Sequence, residues 1–263
     1  MLARAAIVAA SFACYSYAQG APDAADIISR AAANYQSDSK AAAQFTSTLR
    51  EAVTKLGDRA EKTYSVRILD GSPYAELIAI DGKALGPKQK AREEKRLARE
   101  TKRRERQSAS ARAKRIAAVT DGRRPDQLVA RDLLTGYEYK LAGTEQASGR
   151  ECFKLEGSPA AHFHPKSHEG RILRKSRATI WIDTKLFRLI RAEAALVKPA
   201  ALAPLIAKVQ PGTEIALDQT PVEDNVWLAR YFEIRVESTV GFLTPQSLKQ
   251  DTYSDFKKVT AAH

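Results

Sequence analysis

Short segments in which apolar and polar residues alternate recur through the C-terminal half of the chain, and they restrict the possible folds more than any other pattern. Turn-forming Gly, Pro, Asp and Asn separate the segments, as is typical of strands joined by hairpins. This spacing favours an α+β protein, mainly antiparallel β, with one strongly curved sheet rather than βαβ units. The predicted strands are Leu128 to Ala130, Tyr137 to Gln146, Arg150 to Glu156, Ile172 to Ile182, Phe187 to Val197, Thr213 to Gln219, Asn225 to Val236, Val240 to Leu243 and Gln250 to Lys257.

The N-terminal part predicts one helix followed by three further strands. A helix is expected from Asp23 to Gln36, because its apolar residues share one stripe that suits a helix lying on a sheet. The strands are expected at Phe45 to Leu56, Lys62 to Leu69 and Tyr74 to Ile80. The first of these also fits a helical face, and its β-branched threonines favour the strand. Between the later strands, Pro199 to Val209 is an apolar break that predicts a short helix or a covering loop.

The N-terminus has the layout of a cleavable secretory signal. Met1 to Arg4 is positively charged, Ala5 to Ala13 is apolar, and Ser16-Tyr17-Ala18 carries the small residues of a cleavage site. Cleavage is therefore expected after Ala18, which leaves one domain over residues 19–263 of an exported protein. The apolar run is too short to span a bilayer as a helix, which takes about 20 residues.

The two cysteines fit an exported protein that needs no disulfide. Cys14 lies within the signal, and attachment of a lipid there is disfavoured because the preceding residues lack the usual leucine-like side chain. Cys152 lies in an alternating strand with no cationic cluster to lower its pKa, so an inert, packed thiol is expected.

A strongly basic segment interrupts the strand pattern. Between Lys83 and Arg115 there are fourteen Lys or Arg and four Glu, so ten of the chain's twelve net positive charges lie there. The segment is rich in strong helix formers and predicts a helical insertion over about residues 84–119, with a helix of roughly 45 Å. Because Leu97 is nearly its only large apolar residue before Ile116, most of this helix is expected to be solvated or to meet a partner.

Three interpretations of the basic insertion remain open. It is an inert solvated helix, a segment that attracts anionic lipid headgroups, or a segment that binds nucleic acid through phosphates. Export favours lipid, lipopolysaccharide or an acidic envelope protein as the partner, and nucleic acid is not expected. The cations assigned to docking on an anionic surface are Lys95, Arg96, Arg99, Lys102, Arg103, Arg104 and Arg106.

The sequence predicts no catalytic centre, no metal and no cofactor. His162, His164 and His168 are residue types that bind zinc or copper, but nearby cations would repel a metal and an exposed loop is expected. A metal-dependent hydrolase at these histidines is kept as an alternative. Motifs for an activated nucleophile or a phosphate-binding loop are absent from the sequence. Asp183 fits a turn in which its carboxylate accepts bonds from nearby backbone amides.

Three stretches, taken in order along the chain, resemble the LolA/LolB-like superfamily of periplasmic lipoprotein carriers. They are the hairpin Thr179 to Glu193, the upstream strand Gly149 to Gly157, and the downstream pair Asn225 to Leu228 and Tyr253 to Phe256. The resemblance covers the order of elements over most of residues 23–260. It implies an incomplete (half) β-barrel wrapped around the N-terminal helix, an apolar cavity for acyl chains, and residence in the periplasm. The basic insertion looks like that of a less characterised subgroup.

The leading hypothesis is therefore a periplasmic, non-enzymatic carrier of a lipidic or lipoprotein acyl group. Alternation places Tyr64, Trp181, Phe187, Trp227 and Phe232 on the concave face, where they would line the cavity, although packing against helices explains them as well. The basic insertion would serve as a lid or an electrostatic dock. The alternative is an envelope interaction or sensing module of the same fold, and the sequence predicts no oligomeric state.

Overall fold

The computed structural model describes residues 22–120, 124–165, 167–203, 207–240 and 244–259. The expected secretory signal, with Cys14 and the cleavage site at Ala18, lies outside the described residues. The helices are α1 (Ala24–Ala41), α2 (Pro87–Glu105), α3 (Ala109–Thr120), α4 (Pro125–Gly136) and α5 (His168–Leu173). The strands are β1 (Phe45–Lys55), β2 (Asp58–Leu69), β3 (Ser72–Ile80), β4 (Lys83–Ala84), β5 (Tyr137–Ala147), β6 (Arg150–Pro159), β7 (Ser176–Asp183), β8 (Leu189–Leu196), β9 (Ala200–Ala203), β10 (Ala207–Val209), β11 (Glu214–Pro221), β12 (Trp227–Val240) and β13 (Gln246–Lys258).

The strands form one antiparallel sheet in the order β4-β3-β2-β1-β13-β12-β11-β8-β7-β6-β5, and β9 and β10 extend it beside β12. The N-terminal and C-terminal strands meet at its centre, where Leu49 of β1 pairs with Tyr64 of β2 on one side and Tyr253 of β13 on the other. The terminal strands β4 and β5 do not pair with each other in the described part of the chain, so the sheet stays open. The predicted curved antiparallel sheet that does not close into a barrel is confirmed.

Helices α1, α4 and α5 cover one face of the sheet, which we call the inner face. Ile27 of α1, Leu133 of α4 and Leu173 of α5 are at most 1% exposed and belong to one apolar cluster with strand residues. Ile180 of β7 and Leu217 of β11 supply the sheet side of that cluster. Full burial of such a side chain is worth about 1.5–3 kcal/mol, so this contact holds the helices on the sheet.

Helix α1 confirms the predicted N-terminal helix and is longer than expected. Polar contacts with the turn between β7 and β8 hold its C-terminal half in place. The Asn34 side chain donates to the carbonyl oxygens of Leu186 at 3.0 Å and Phe187 at 2.9 Å. Arg188 of the same turn donates to the buried Asp38 carboxylate at 2.6 Å. The three predicted strands that follow α1 are confirmed as β1, β2 and β3.

The expected strand from Leu128 to Ala130 is wrong, because these residues lie inside α4. Pro125 occupies the first turn, where its missing N–H costs nothing, and Gln127 accepts a hydrogen bond from the Arg124 backbone N–H. The buried apolar residues of α4 fall at Val129, Ala130, Leu133 and Leu134, the spacing of one helix face. Leu128 to Ala130 taken alone is a three-residue apolar run, which periodicity cannot tell from a buried strand.

Two other expected segments differ from the structure. The predicted strand Ile172 to Ile182 begins as the end of α5, and only its later part is β7. The break from Pro199 to Val209, expected as a helix or loop, contains the short strands β9 and β10, and residues 204–206 lie outside the described ranges. The strand expected at Val240 to Leu243 falls outside them as well, apart from the last residue of β12.

The basic insertion is two helices, so the expectation of one long helix is wrong. Helix α2 ends at Glu105, and the side chain of Ser108 accepts a hydrogen bond from the Ala111 backbone N–H at 3.2 Å. Serine at this position accepts a hydrogen bond from a backbone amide that has no partner within the helix, so a new helix, α3, begins here. No helix in the described ranges is long and apolar enough to cross a membrane.

Candidate functional site

A groove of about 1380 Å³ lies between α1, α4 and the loop that joins β6 to α5. Its apolar residues are Ala32, Ala33, Tyr35, Leu128, Leu134, Phe163 and Pro165. Its polar residues are Gln36, Ser39, Lys40, Gln127, Arg131, Asp132, Thr135, His162, His164 and Ser167. Small-molecule sites commonly enclose roughly 300–1,000 Å³, so this groove is large enough for a lipid-sized ligand.

The loop side of the groove is held against α4 by a close contact at Gly136. A Cβ at this position would come within 2.3 Å of the Phe163 ring, so only glycine lets the ring lie directly on the helix. Tyr137 packs beside Phe163 with ring centroids 5.9 Å apart. The Ala160 backbone N–H also donates to the Gly136 carbonyl oxygen at 2.9 Å. Phe163 is therefore a buried anchor inside an otherwise polar loop.

A second glycine fixes the far end of the same loop. A Cβ on Gly170 would lie 2.4 Å from Pro165 and 2.8 Å from a carboxylate oxygen of Asp132. The Gly170 backbone N–H donates to the hydroxyl of Ser167 at 2.9 Å, and this bond caps the N-terminus of α5. The loop thus forms a built wall of the groove, attached to the fold at both ends.

The groove combines an apolar floor with a basic rim. Phe163 is 7% exposed and Leu134 is 2% exposed, and both face a space bordered by the exposed Lys40 and Arg131. Burial raises the pKa of the Asp132 carboxyl, although the charge of Arg131 opposes this shift. An amphiphile with an apolar chain and an anionic headgroup matches this distribution of surfaces.

Of the three histidines singled out in the sequence, the structure describes the side chains of His162 and His164, and these belong to no group of potential metal ligands. His162 and His164 are exposed on the rim of the groove. His168 begins α5, and its side chain is outside what the structure describes. No group of three His, Cys, Asp or Glu in the described ranges stands close enough to hold a metal ion.

The five aromatic residues expected to line a cavity do not line this groove, and they do not share one face. Phe187 and Phe232 are 8% and 1% exposed and belong to the inner apolar cluster, so packing against the helices accounts for both. Tyr64 is half-buried on β2 near α2, and burial raises its pKa. Trp181 and Trp227 belong to a separate cluster with Ala147, Cys152 and Ile190.

The expectation that Trp181 lies on the concave face is wrong. Its neighbours Ile180 and Ile182 face the inner cluster, so alternation along β7 turns Trp181 to the opposite side. There the indole N–H donates to Glu145, and the guanidinium of Arg191 lies 5.6 Å from the ring centroid. The indole is thus a packed residue of the outer face.

Two smaller expectations about this end of the sheet are confirmed. Cys152 is fully buried, and burial raises the pKa of its thiol to about 11, as expected of an inert thiol. The Asp183 carboxylate accepts bonds from the backbone amides of Lys185 at 2.9 Å and Leu186 at 2.6 Å. Although burial opposes it, these amides and Arg150 hold the pKa of Asp183 below its usual range.

Helix α2 lies along the outer edge of β3 and supplies polar groups to it. Strand β3 pairs with β4 only through its last two residues, so most of this edge has no neighbouring strand. The Glu93 carboxylate accepts a hydrogen bond from the Leu77 backbone N–H at 3.1 Å, and Arg96 donates to the Ala75 carbonyl oxygen. Glu93 also pairs with Arg96, as the sequence spacing indicates. Side chains of a helix thus satisfy backbone N–H and C=O groups of β3 that would otherwise need a neighbouring strand.

Arg104 extends this attachment to the turn between β2 and β3. Its guanidinium donates to the Ser72 carbonyl oxygen at 3.0 Å, to the Ser72 hydroxyl at 2.9 Å and to the Pro73 carbonyl oxygen at 3.3 Å. It pairs with Glu100 four residues earlier and is only 7% exposed. We call Glu93, Arg96, Glu100 and Arg104 the inner clamp. Most of α2 is exposed, as expected, and the side that carries Glu93 and Arg104 is packed against β3.

Helix α3 is attached to the same turn by two further arginines. Asp70 pairs with Arg112 at 2.6 Å and with Arg115 at 2.5 Å. Hydrogen bonding from Arg112 holds the pKa of the Asp70 carboxyl below its usual range. Of the seven cations assigned to docking, Arg96, Arg103 and Arg104 are engaged within the protein, whereas Lys95, Arg99, Lys102 and Arg106 are exposed.

No family model and no curated protein matches the chain. Several solved structures are similar over nearly its whole length. A DUF1329 family protein from Desulfovibrio piger is 12% identical, with 92% of this chain and 96% of that chain covered at a TM-score of 0.36. A LolA superfamily protein from Nitrosomonas europaea is 13% identical, with 92% and 96% covered at a TM-score of 0.29. Lipoprotein LppX from Mycobacterium tuberculosis is 13% identical, with 90% and 98% covered at a TM-score of 0.29.

Proposed function

We propose that this protein is an exported, periplasmic and non-enzymatic binding protein that carries a lipidic or lipoprotein acyl group. The groove between α1, α4 and the loop holding Phe163 is the site of binding. The observation that carries this proposal is the combination of an apolar floor and a basic rim in a groove of about 1380 Å³. A protein fold hosts many functions, so the proposal is argued from this groove rather than from the fold.

Apolar burial drives the capture of the acyl chain. Each CH₂ group that leaves water contributes about 0.8 kcal/mol, so even a chain that is partly buried binds with useful affinity. The half-buried Tyr35, Leu128 and Pro165 offer apolar surface above the buried Leu134 and Phe163. The Tyr35 hydroxyl is already bonded to the Gln127 carbonyl oxygen at 3.3 Å. The ring of Tyr35 therefore presents its apolar face without leaving a polar atom unpaired.

The rim orients the ligand. Lys40 and Arg131 stand on opposite helices at the edge of the groove, where they meet a carboxylate or phosphate in the headgroup. A charged group there keeps its contact with water, while the chain enters between α1 and α4. Binding alone accounts for this arrangement, since the ionisable side chains surround the opening rather than converge on one reacting atom.

Extraction of lipids from protein purified from its native host, followed by mass spectrometry, tests the proposal. We expect a co-purified molecule with an acyl chain, and competition by that molecule against a fluorescent fatty-acid probe. A folded preparation that carries no lipid and binds no acyl probe would contradict the proposal. Stoichiometric zinc in the same preparation would instead favour the hydrolase alternative at the histidine loop.

A further inference from the structure

Six basic residues recur along α2 at alternating intervals of four and three residues. They are Lys88, Arg92, Lys95, Arg99, Lys102 and Arg106. Residues three and four apart lie on the same side of a helix, so these six form one line, which we call the outer stripe. At about 1.5 Å per residue the line is roughly 27 Å long.

The outer stripe is separate from the inner clamp. All six of its residues are exposed, and their side chains have no hydrogen bond or ion pair within the described part of the chain. Glu93 and Arg104 of the clamp face β3 and are 9% and 7% exposed. Because the clamp fixes the orientation of α2 on the sheet edge, it also fixes the direction in which the outer stripe points.

A line of like charges opposes helix formation. Like charges three or four residues apart repel each other, and Glu105, three residues after Lys102, is the one acidic residue of α2 at such a spacing from the stripe. Four of the stripe residues, Arg92, Lys95, Arg99 and Lys102, line a shallow depression of about 640 Å³, together with Ala98 and with Glu93 and Arg96 of the inner clamp. The helix therefore keeps a costly arrangement that an external anion would stabilise.

We infer that the outer stripe docks the protein on an anionic lipid surface. Charge complementarity selects an anionic partner, and the form of the stripe selects a lipid surface over an acidic protein. Protein interfaces rely on buried aromatic and apolar anchors at their centre. The stripe has none, since Leu97 is half-buried on the other side of α2. A lipid surface needs only a straight row of flexible cations, because its charge is diffuse.

Docking on lipid goes beyond acyl binding and does not depend on it. Each Lys or Arg close to an anionic membrane strengthens binding roughly fivefold at low salt. The protein would thus meet a membrane reversibly through α2, and the groove between α1 and α4 would stay free. Proteins held by charge leave the surface when salt screens the attraction, which separates this mode from apolar insertion.

Binding to vesicles tests the inference with a matched control. The stripe variant is Arg92→Gln, Lys95→Gln, Arg99→Gln and Lys102→Gln, and glutamine preserves helix propensity. The control variant is Lys140→Gln, Arg177→Gln, Lys185→Gln and Lys198→Gln, which removes four exposed cations elsewhere and gives the same net charge. Each protein is sedimented with vesicles of equal parts phosphatidylglycerol and phosphatidylcholine, and with phosphatidylcholine alone.

We expect the unaltered protein to bind only the anionic vesicles, the stripe variant to bind them about 600-fold more weakly, and the control to stay within about threefold. Equal losses in both variants, or equal binding to both vesicle types, would overturn the inference. If the unaltered protein bound no vesicles but bound polyglutamate, and the stripe variant bound polyglutamate more weakly, the inference would be overturned in favour of an acidic protein partner. A fluorescent fatty-acid probe added in solution measures binding in the groove separately. The stripe variant should bind this probe as tightly as the unaltered protein does.

Discussion

Helices α4 and α2 are both attached to the sheet, but by different physical means. Helix α4 buries Val129, Leu133 and Leu134, each at most 2% exposed, in the inner apolar cluster. Helix α2 buries Glu93 and Arg104, and its one large apolar residue is only half-buried. Apolar contact is strong and non-directional, whereas hydrogen bonds to charged groups depend on geometry and on their partners' charge. The groove is thus built on the firmly packed part of the fold, and the insertion is held by bonds that solution conditions can weaken.

The largest expected effect lies in α4. Truncation of a fully buried leucine removes apolar contacts and leaves a cavity, so Leu133→Ala should lower the free energy of unfolding by about 2–5 kcal/mol. Urea denaturation measures the loss. Leu97→Ala in α2 is the matched control and should cost well under half as much, since that side chain is half-buried. Equal losses in the two helices would remove the proposed difference between them.

Arg104→Met should have the next largest effect, and it should be local. The change keeps an apolar stem of similar length and removes the donors to the Ser72 and Pro73 carbonyl oxygens. Unsatisfied buried acceptors cost about 1–3 kcal/mol, so α2 should exchange its amides faster while α4 stays protected. Hydrogen exchange read by mass spectrometry reports both helices.

Arg103→Met is the neighbouring control for that experiment. Arg103 pairs only with Glu100 among the described residues and is largely exposed, so its loss should change amide exchange in α2 much less than the loss of Arg104. Identical exchange in the two variants would show that the buried bonds of Arg104 do not hold α2.

A smaller effect is expected from acid. Hydrogen bonding from Arg103, aided by Arg104, lowers the pKa of Glu100 from 4.5 to about 2. A carboxyl whose pKa is lowered in the folded state stabilises it fully above its unfolded pKa and loses that contribution as pH falls towards the folded pKa. Amide protection in α2, corrected for intrinsic rates, should therefore fall between pH 4.5 and about 2. Glu100→Gln should flatten that dependence, and an unchanged slope would contradict the assignment.

Salt should produce the smallest effect, a difference in amide exchange between α3 and α4. Raising ionic strength from about 0.1 M to 1 M shortens the Debye length from about 10 Å to 3 Å. The partly exposed pairs of Asp70 with Arg112 and Arg115 should weaken, and α3 should exchange up to about threefold faster. Exchange in α4 should not change. Equal responses would mean that charge does not distinguish the insertion from the core.

The sheet could be predicted from the sequence because strand alternation is a local property. Strands β1 to β3, β5, β6 and β8 lie close to the predicted bounds. The strand expected at Leu128 to Ala130 is wrong because three apolar residues in a row do not distinguish a strand from part of a helix face, which here continues at Leu133 and Leu134. Trp181 was assigned to the wrong face because alternation gives two faces but not which one the helices cover.

The groove could not be predicted, because it depends on contacts between distant segments. Gly136 and Phe163 are far apart in the sequence, and nothing local indicates that a ring packs on that glycine. One signal was available: Phe163 is a large apolar residue between two histidines in a polar loop, which indicates a docked loop. The inner clamp could not be predicted either, since the sequence does not distinguish the arginines of α2 that are buried against β3 from those that are exposed.

Acyl binding in the groove is tested most directly by blocking it. Ala33 is exposed and lines the groove on α1, so Ala33→Trp should fill the space without disturbing the core. Ala113→Trp, at an exposed position on α3, is the matched control. Titration with a fluorescent fatty acid should show at least about tenfold weaker binding for Ala33→Trp, or about 1.4 kcal/mol, and unchanged binding for the control. Tight binding that Ala33→Trp leaves intact would contradict the groove as the site.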